Sequence, residues 1–340
     1  DNARVHIPHI SFRPRPALDA VPRIVDVIQF NGEWEVLNIR LHELGPVVDE
    51  VWIIEWDMTY SGKPKPFRLK DNLTQYGEYA HKIKHFMFRT PPKHRTVPSS
   101  KKKQPSMAVK KSHMNREAFY RRTMHQKMQS HIPQDDIVLY GDADEYPDPS
   151  LLQAIKDCKL LYHEPQSHKT LEFGRDRLGI KLQPVCLTIN MHCRLQPDEP
   201  WPYGTILAPN RLSKGLDMWH IRLDRDPPAG YGHMLKLPYV GWHLSTIAFT
   251  VERVQWKFQS LGDVANSAKL WEMARWSTER WAKELDIMNR KHKFPRPEFK
   301  CYEYFQQSLP QHIWTAANTT FRNVLSPQQL EYAQLLLSSA

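Results

Sequence analysis

Short apolar runs alternate with segments of helical spacing from residue 23 to residue 161, and this alternation constrains the fold more than any other feature. Arg23–Phe30 (RIVDVIQF) is typical of a buried strand, residues 32–44 place apolar side chains at helical spacing, and Val48–Trp56 resumes a β-rich run. Asn31 is suited to cap the helix. This order favours an α/β fold with a mainly parallel sheet flanked by helices.

The same alternation continues further along the chain. It predicts a strand over residues 82–88, a helix over Asn115–His131, a short strand over Ile137–Tyr140 and a helix over Pro149–Leu161. β-like runs such as Val185–Met191 follow, and helical spacing returns from Val251 to about Leu285, with a last helix expected over Pro327–Leu337. Trp271, Trp276 and Trp281 are expected to pack within this helical region.

One large domain is expected, in three parts. Residues 1–22 form a lead segment, residues 23–250 form the α/β domain, and residues 251–340 form a helical region packed on it. A basic stretch at residues 93–113, which contains proline and serine, is predicted to be a solvated loop inserted in the domain.

The chain carries a formal net charge of +10, which suits an acidic partner such as nucleic acid, a membrane surface or a phosphorylated small molecule. Much of this charge lies in the predicted loop rather than along a face interleaved with aromatic residues, which argues against nucleic acid. No apolar run reaches the roughly 20 residues that cross a bilayer. Because an initiator methionine is missing, we expect that an upstream anchor or signal was removed. The 4 cysteines lack metal-site spacing and could form two disulfides.

An acidic segment follows the apolar run Ile137–Tyr140 and carries Asp142, Asp144 and Glu145. Ligands bind at the carboxyl edge of strands in an open α/β sheet. Side chains two residues apart in an extended segment point the same way, so Asp142 and Asp144 can face one ion. Oxygen ligands suit Mg²⁺ or Mn²⁺ bound together with substrate phosphates. The alternative is an acidic turn with no ligand.

Several spaced segments resemble those of a known family. They are Phe30–Glu33 followed by Leu37, Arg40 and Leu44; Val48–Asp49 with Ile53–Glu55; Thr59–Pro66; Asp136–Leu139 with Gly141–Glu145; and Gly241–Ser245. The sequence is similar to glycosyltransferase family 17, whose animal members add the bisecting N-acetylglucosamine to N-glycans. Thr246–Ile247, the basic stretch and the residues after Lys257 depart from the family pattern.

The resemblance implies a GT-A-like fold and inverting, Mn²⁺-dependent transfer from UDP-N-acetylglucosamine to an N-glycan, in the Golgi lumen behind a type II membrane anchor. The expected partners are therefore the nucleotide-sugar donor and the glycan acceptor, with no nucleic acid and with a membrane only through the removed anchor.

The family-like segments, together with the chemistry of other residues, suggest individual roles. Donor-binding candidates are Phe30, Asn31, Glu33, Glu55, Lys63, Lys65, Arg116 and Arg121; acceptor-binding candidates are Trp219, His220 and Trp242. Asp142, Asp144 and His243 are the predicted metal ligands. Glu145, Asp224 and Asp226 are equivalent candidates for the base that deprotonates the acceptor hydroxyl. Each of these residues also has a purely structural interpretation, such as core packing, a helix cap or a solvated turn.

Two other functions use the same kinds of residue. A metal-dependent phosphoesterase or nuclease also needs clustered carboxylates, and usually takes them from several strand ends. A carbohydrate-binding protein without activity would use the abundant aromatic side chains, which make up 11% of the chain.

Overall fold

The computed structural model describes residues 9–96, 106–188, 193–195, 202–214, 218–222, 233–245, 250–260, 268–291 and 299–301. The strands are β1 (Ile10–Pro14), β2 (Ile24–Phe30), β3 (Glu50–Trp56), β4 (Ile83–Phe88), β5 (Ile137–Asp142), β6 (Glu145–Tyr146), β7 (Cys158–His163), β8 (Thr170–Glu172), β9 (Leu178–Thr188), β10 (Cys193–Leu195), β11 (Thr205–Pro209), β12 (His233–Ser245) and β13 (Phe299–Cys301). The α-helices are α1 (Trp34–Leu44), α2 (Pro92–Arg95), α3 (Met107–His131), α4 (Pro149–Asp157), α5 (Met218–Arg222), α6 (Val251–Ser260), α7 (Ala268–Met273) and α8 (Thr278–Lys291). Two 3₁₀ segments span Lys70–Lys82 and Asn210–Ser213.

A 10-stranded sheet forms the centre of the fold, in the order β13-β10-β9-β11-β5-β2-β3-β4, with β12 and β6 joined to it off this path. β5, β2, β3 and β4 are mutually parallel, as the sequence predicts. The prediction of a mainly parallel sheet is wrong for the other half, where β11 runs antiparallel to both β5 and β9. The links between β9, β10 and β11 are too short for the crossover that parallel neighbours require. The sheet is therefore mixed.

Two apolar layers cover the faces of this sheet. Residues of β2 alternate between them, since Ile24 and Ile28 face the layer that contains Leu37 of α1, whereas Val25 and Val27 face the layer that contains α3. Each such side chain contributes about 1.5–3 kcal/mol when fully buried. The layers hold β2 and β5 rigidly at the centre, and so fix the position where β5 ends.

A third apolar cluster joins α6 to α7 and α8. It contains Val254 and Phe258 of α6 together with Trp276 and Trp281. The packing role predicted for these two tryptophans is confirmed. Because α6 is anchored in this way, the opposite face of the helix is free to contact the end of β5.

Several predicted boundaries differ from those observed. α3 begins at Met107, with the Ser106 hydroxyl accepting the Val109 N–H, so the solvated-loop prediction is wrong for residues 107–113. Its lysines and methionines are good helix formers, and Val109 is buried. α4 ends at Asp157, because the following residues pair as β7 with β1 of the lead segment.

The helix cap also differs. The Asn31 prediction is wrong, because α1 begins at Trp34 and Glu33 occupies the N-cap position. The carboxylate of Glu33 accepts the Asn31 N–H at 2.7 Å.

Other sequence predictions have mixed outcomes. Cys158 and Cys186 are free thiols, and Cys193 lies opposite Cys301 in the β10–β13 register. The predicted helix over residues 327–337 lies outside the described residues. Among the described helices, none combines the length and apolarity needed to cross a bilayer.

Candidate active site

The acidic segment lies where the central strand β5 ends and turns into β6. β12 pairs antiparallel with β6, which places His243 opposite Glu145 and Trp242 opposite Tyr146. The Leu244 N–H donates to the Asp144 carbonyl at 2.7 Å. Strand pairing thus brings His243 to a turn that lies about one hundred residues earlier in the chain.

A glycine permits this close approach of the two strands. Gly241 has a φ of +99°, a region in which residues with a Cβ are strained. A Cβ at this position would lie 2.2 Å from the Tyr146 carbonyl oxygen. The register of β12 also shifts between Pro238 and Trp242. The bend at Gly241 therefore sets where His243 meets the acidic turn.

Arg40 supports the acidic turn from inside the protein. Its guanidinium is fully buried and makes a two-pronged ion pair with Asp26, at 2.6 and 2.7 Å. Its remaining nitrogen donates to the carbonyls of Glu145 at 2.6 Å and Asp142 at 3.2 Å. The Thr205 hydroxyl donates to the same Glu145 carbonyl at 2.9 Å. The backbone of the turn is thus fixed independently of its side chains.

Two arginines neutralise the first and last carboxylates of the turn. Arg121 of α3 donates to Asp142 at 2.8 Å, and Arg222 of α5 donates to Asp142 at 2.7 Å and to Glu145 at 2.6 Å. Burial alone would raise the pKa of Asp142, but the two guanidinium groups hold it well below its usual range. Burial, reinforced by the charges of Asp142 and Asp144, raises the pKa of Glu145 despite Arg222.

A lysine of α6 neutralises the middle carboxylate. The Lys257 ammonium lies 2.9 Å from Asp144 Oδ2 and 3.3 Å from Glu33 Oε1. Burial opposes the charge on both partners, yet the pairing lowers the pKa of Asp144 and raises that of Lys257. Both groups are therefore charged at neutral pH.

One group of side chains has the composition and spacing of a cation site. Asp144, Glu145 and His243 are all buried, and each offers a ligand atom within 4.8 Å of the others. His243 Nε2 lies 3.7 Å from Asp144 Oδ2 and 3.9 Å from Glu145 Oε1. Ligands about 2.1 Å from a common ion span such separations, and two carboxylates with an imidazole suit Mn²⁺. The residues therefore fit a divalent cation.

This group differs from the predicted metal ligands in one member. The structure brings Asp144 and His243 together, but adds Glu145, a predicted base candidate, while the carboxylate of Asp142 lies between two arginines. The metal assignment remains a prediction. Burial disfavours the charged imidazole, yet Cys186 and Asp144 beside it raise the pKa of His243 well above its ordinary value. A cation that binds here must therefore displace the imidazole proton.

The predicted donor residues after β2 are covered by α6. The Trp256 indole N–H donates to the Asn31 carbonyl at 3.1 Å, and Lys257 pairs with Glu33. Phe30 is 2% exposed and packs edge-on against Trp34, with ring centroids 4.9 Å apart. Phe30, a predicted donor-binding residue, thus lies in the core and presents no open face on which a base could stack.

Glu55 and Lys65 form a buried pair at 3.4 Å, so neither presents a free charge to a donor. Glu55 is 1% exposed and also accepts from His85 at 3.0 Å and from the Arg68 N–H at 3.1 Å. These contacts support the structural interpretation of both residues. Lys63, by contrast, is exposed and donates to Gln259 of α6 at 2.6 Å.

Arg116 and Arg121 have different roles although both were predicted to bind the donor. Arg121 lies in the site, as described above. Arg116 is 1% exposed and donates to the backbone carbonyls of His94 and Tyr60, which lie outside the acidic turn. Its guanidinium anchors the start of α3, so the structure does not place it in the site.

The predicted acceptor residues and bases are only partly described. Trp242 is half-buried and its ring lies 5.8 Å from that of Tyr146, beside the site. Trp219 and His220 belong to α5, whose last residue is Arg222. Asp224 and Asp226 lie outside the described residues.

Three residues of the site were not assigned a role from the sequence: Arg40, which belongs to a family-like segment, and Arg222 and Lys257. Arg40 is a charged residue on the otherwise apolar face of α1, between Leu37 and Leu44. That pattern is a recognisable sign of a buried charged side chain. Arg222 and Lys257 reach the turn through α5 and α6, and nothing in their local sequence specifies that contact.

Comparison with known proteins gives one matching family and a few relatives that match over a short stretch. Residues 11–168 match the model of Glycosyltransferase family 17. Two curated proteins, each named "Beta-1,4-mannosyl-glycoprotein 4-beta-N-acetylglucosaminyltransferase", from Rattus norvegicus and Homo sapiens, are 38% identical over 52 residues. That stretch is 15% of this chain and 10% of each relative, so the chain spans about a tenth of their length. The family match includes the acidic turn and ends before Gly241–Ser245.

Proposed function

Because residues 11–168 match the model of glycosyltransferase family 17, as the spaced motifs predict, we propose that the chain is a metal-dependent inverting glycosyltransferase. The proposed donor is UDP-N-acetylglucosamine, and the proposed product is a β-1,4 linkage to a mannose of an N-glycan. The observation that carries the proposal is the buried group Asp144, Glu145 and His243 at the end of the central parallel strand.

The charges around this group support a role in binding a diphosphate. Arg121, Arg222 and Lys257 converge on the acidic turn from three separate helices. Guanidinium and ammonium groups bind phosphate oxygens well. A divalent cation held by Asp144, Glu145 and His243 would stabilise the negative charge that develops on the departing UDP.

The contacts of Glu145 narrow the choice of the residue that acts as the catalytic base. Glu145 is 1% exposed and bound to Arg222, which suits a cation ligand better than a base that reaches an acceptor hydroxyl. Asp224 and Asp226 are the two remaining candidates. Either would remove the proton of the acceptor hydroxyl as that oxygen bonds to the anomeric carbon and UDP departs.

The proposed location follows the family resemblance. We propose that the protein acts in the Golgi lumen, where nucleotide-sugar donors and N-glycans meet, behind an N-terminal anchor. Detection of the full-length protein in fractionated membranes, with this domain protected from added protease, tests that proposal.

Release of UDP from UDP-N-acetylglucosamine tests the donor and metal parts together. The wild type is expected to release UDP only with Mn²⁺ or Mg²⁺, and Asp144→Asn should lower the rate at least about 100-fold, because several kcal/mol of charge stabilisation are lost. Asp148→Asn is the matched control. Asp148 caps α4 through the Ser150 N–H at 2.8 Å, and asparagine caps equally well.

Two results would count against the proposal. Equal rates in wild type and Asp144→Asn would remove the acidic turn from the chemistry. Stabilisation of the protein against heat by nucleic acid, but not by UDP with Mn²⁺, would favour a nuclease-type function instead.

A further inference from the structure

The Lys257 ammonium contacts the carboxylate of Asp144, which a divalent cation would need as a ligand. Its ammonium is 2.9 Å from Asp144 Oδ2, and its side chain is only 16% exposed. A divalent cation bound to the same oxygen would lie about 2.1 Å from it. The ammonium and the ion would then be about 5 Å apart or less, in a buried setting where charges are weakly screened.

The carboxylates of the described site already have cationic partners. The carboxylates of Glu33, Asp142, Asp144 and Glu145 face the permanent cations Arg121, Arg222 and Lys257, together with the imidazole of His243. A divalent ion alone would add two positive charges next to the Lys257 ammonium. A divalent ion that arrives with a nucleoside diphosphate would bring the compensating negative charge.

The position of Lys257 is fixed by the helix that carries it. α6 is held against the sheet by Trp256, which donates to the Asn31 carbonyl, and by Arg253, which donates to the Gly32 carbonyl at 3.2 Å. Its C-terminal end is held by the Ser61 hydroxyl, which donates to the Gln259 carbonyl at 2.6 Å. The ammonium therefore reaches Asp144 without any rearrangement of α6.

A small cleft borders the Lys257 side chain. Lys257 lines a cleft together with Gly32, Glu33, Leu244 and Trp256. Glu33 is its second anionic partner, at 3.3 Å. A lysine side chain can swing from Asp144 into this cleft through its own rotatable bonds.

We propose that Lys257 is a built-in competitor for the cation site, which keeps affinity for free divalent metal low and releases Asp144 when the metal arrives with a nucleoside diphosphate. The inference rests on the proposed function and specifies the order in which its ligands bind. Lys257 exchanges one anionic partner, Asp144, for another, an oxygen of the diphosphate. The coupling is reciprocal, so the diphosphate raises the affinity for metal by the same factor as the metal raises the affinity for the diphosphate.

Direct measurement of Mn²⁺ binding by isothermal titration calorimetry tests the inference without any turnover. Lys257→Met should bind Mn²⁺ alone at least about tenfold more tightly than the wild type, whereas Lys257→Arg, which keeps the charge, should stay weak. In the wild type, saturating UDP should tighten Mn²⁺ binding at least about tenfold, and in Lys257→Met this coupling should largely disappear. Lys283→Met, on an exposed face of α8, is the matched control.

Circular dichroism shows whether Lys257→Met is folded. If it is not, Lys257→Gln gives the same comparison, because its amide can still donate to Asp144 but carries no charge. Unchanged or weaker Mn²⁺ binding in the uncharged variants would overturn the inference, as would the absence of Mn²⁺ binding in every variant. Tight Mn²⁺ binding by Lys257→Met without sugar transfer by the wild type would support the inference and count against the proposed function.

Discussion

Arg40 shows how one buried side chain can serve both the stability of the fold and the geometry of the site. It pairs with Asp26 and, through its other nitrogen, holds the backbone of the acidic turn. Arg40→Met leaves the Asp26 carboxylate buried without its partner, so we expect the free energy of unfolding to fall by about 3–5 kcal/mol in urea denaturation. UDP release should be lost as well.

A double variant separates these two roles. Asp26→Leu combined with Arg40→Met removes both charges, and should recover most of the lost stability because apolar replacements of buried ion pairs are often neutral. UDP release should remain low, because the Glu145 and Asp142 carbonyls still lack the bonds from Arg40. Recovery of both stability and release would show that Arg40 does not position the turn.

Glu55 supplies a pH-dependent contribution to stability. Burial would raise its pKa, but the hydrogen bond from His85, the charge of Lys65 and the Arg68 N–H lower it. The unfolded chain therefore takes up this proton at a higher pH than the folded chain. The stabilisation is present above the unfolded pKa of about 4.3, and is lost as the pH falls below it.

We accordingly expect Glu55→Gln to lower the free energy of unfolding by about 2 kcal/mol at neutral pH. The difference from the wild type should shrink when the pH falls below about 4.3. Urea denaturation across this range measures both quantities, with Glu78→Gln at an exposed position as the control. A difference that does not change with pH would contradict the role given to the carboxylate.

For single residues, the sequence predicts the acidic turn well but does not predict the partners of its side chains. Asp142 and Asp144 are recognisable because they follow a buried strand. Their counterions, Arg121, Arg222 and Lys257, come from three helices whose mutual position depends on packing of the whole chain. Phe30 and Glu55 fit the family pattern, yet burial decides their structural role.

The path of β12 decides whether His243 reaches the acidic turn. Gly241 adopts a positive φ, and a Cβ there would collide with the Tyr146 carbonyl oxygen, whereas Gly174 has a φ of +87° with nothing within 4 Å. Gly174→Ala should therefore cost only the backbone strain, about 1–2 kcal/mol. Gly241→Ala adds a steric clash, whose free-energy cost should equal or exceed that of the strain.

Thermal denaturation and Mn²⁺ titration with UDP together check this prediction. Gly241→Ala should be the less stable variant and should bind Mn²⁺ at least about tenfold more weakly than Gly174→Ala, because His243 is displaced. Equal Mn²⁺ binding by the two variants would mean that the position of His243 does not depend on the bend at Gly241.

The parallel half of the sheet can be predicted because the signals for its elements are local in the sequence. β2, α1, β3, β4 and β5 each carry a clear apolar period, and crossover helices impose parallel neighbours. The pairing of β9 with β11 and with β12 joins residues that are far apart in the sequence. No short stretch of sequence therefore contains the information that sets this register. The sequence does not predict the start of α3, because the first turns of this helix are basic, as a solvated loop would be.

On the scale of the whole molecule, the site is the meeting point of the predictable and unpredictable halves of the fold. β5 brings the acidic turn from the parallel half, β12 brings His243 from the mixed half, and α6 brings Lys257 from the helical region. The family match covers only the first of these contributions. The chemistry proposed here requires all three.

The most direct test of the central claim is the mass of an N-glycan acceptor after incubation with the wild type, UDP-N-acetylglucosamine and Mn²⁺. The predicted result is the gain of one N-acetylhexosamine, with no gain for Asp144→Asn or after removal of the metal with a chelator. An acceptor whose mass stays unchanged with every nucleotide sugar tested would contradict the assignment of this site to glycosyl transfer.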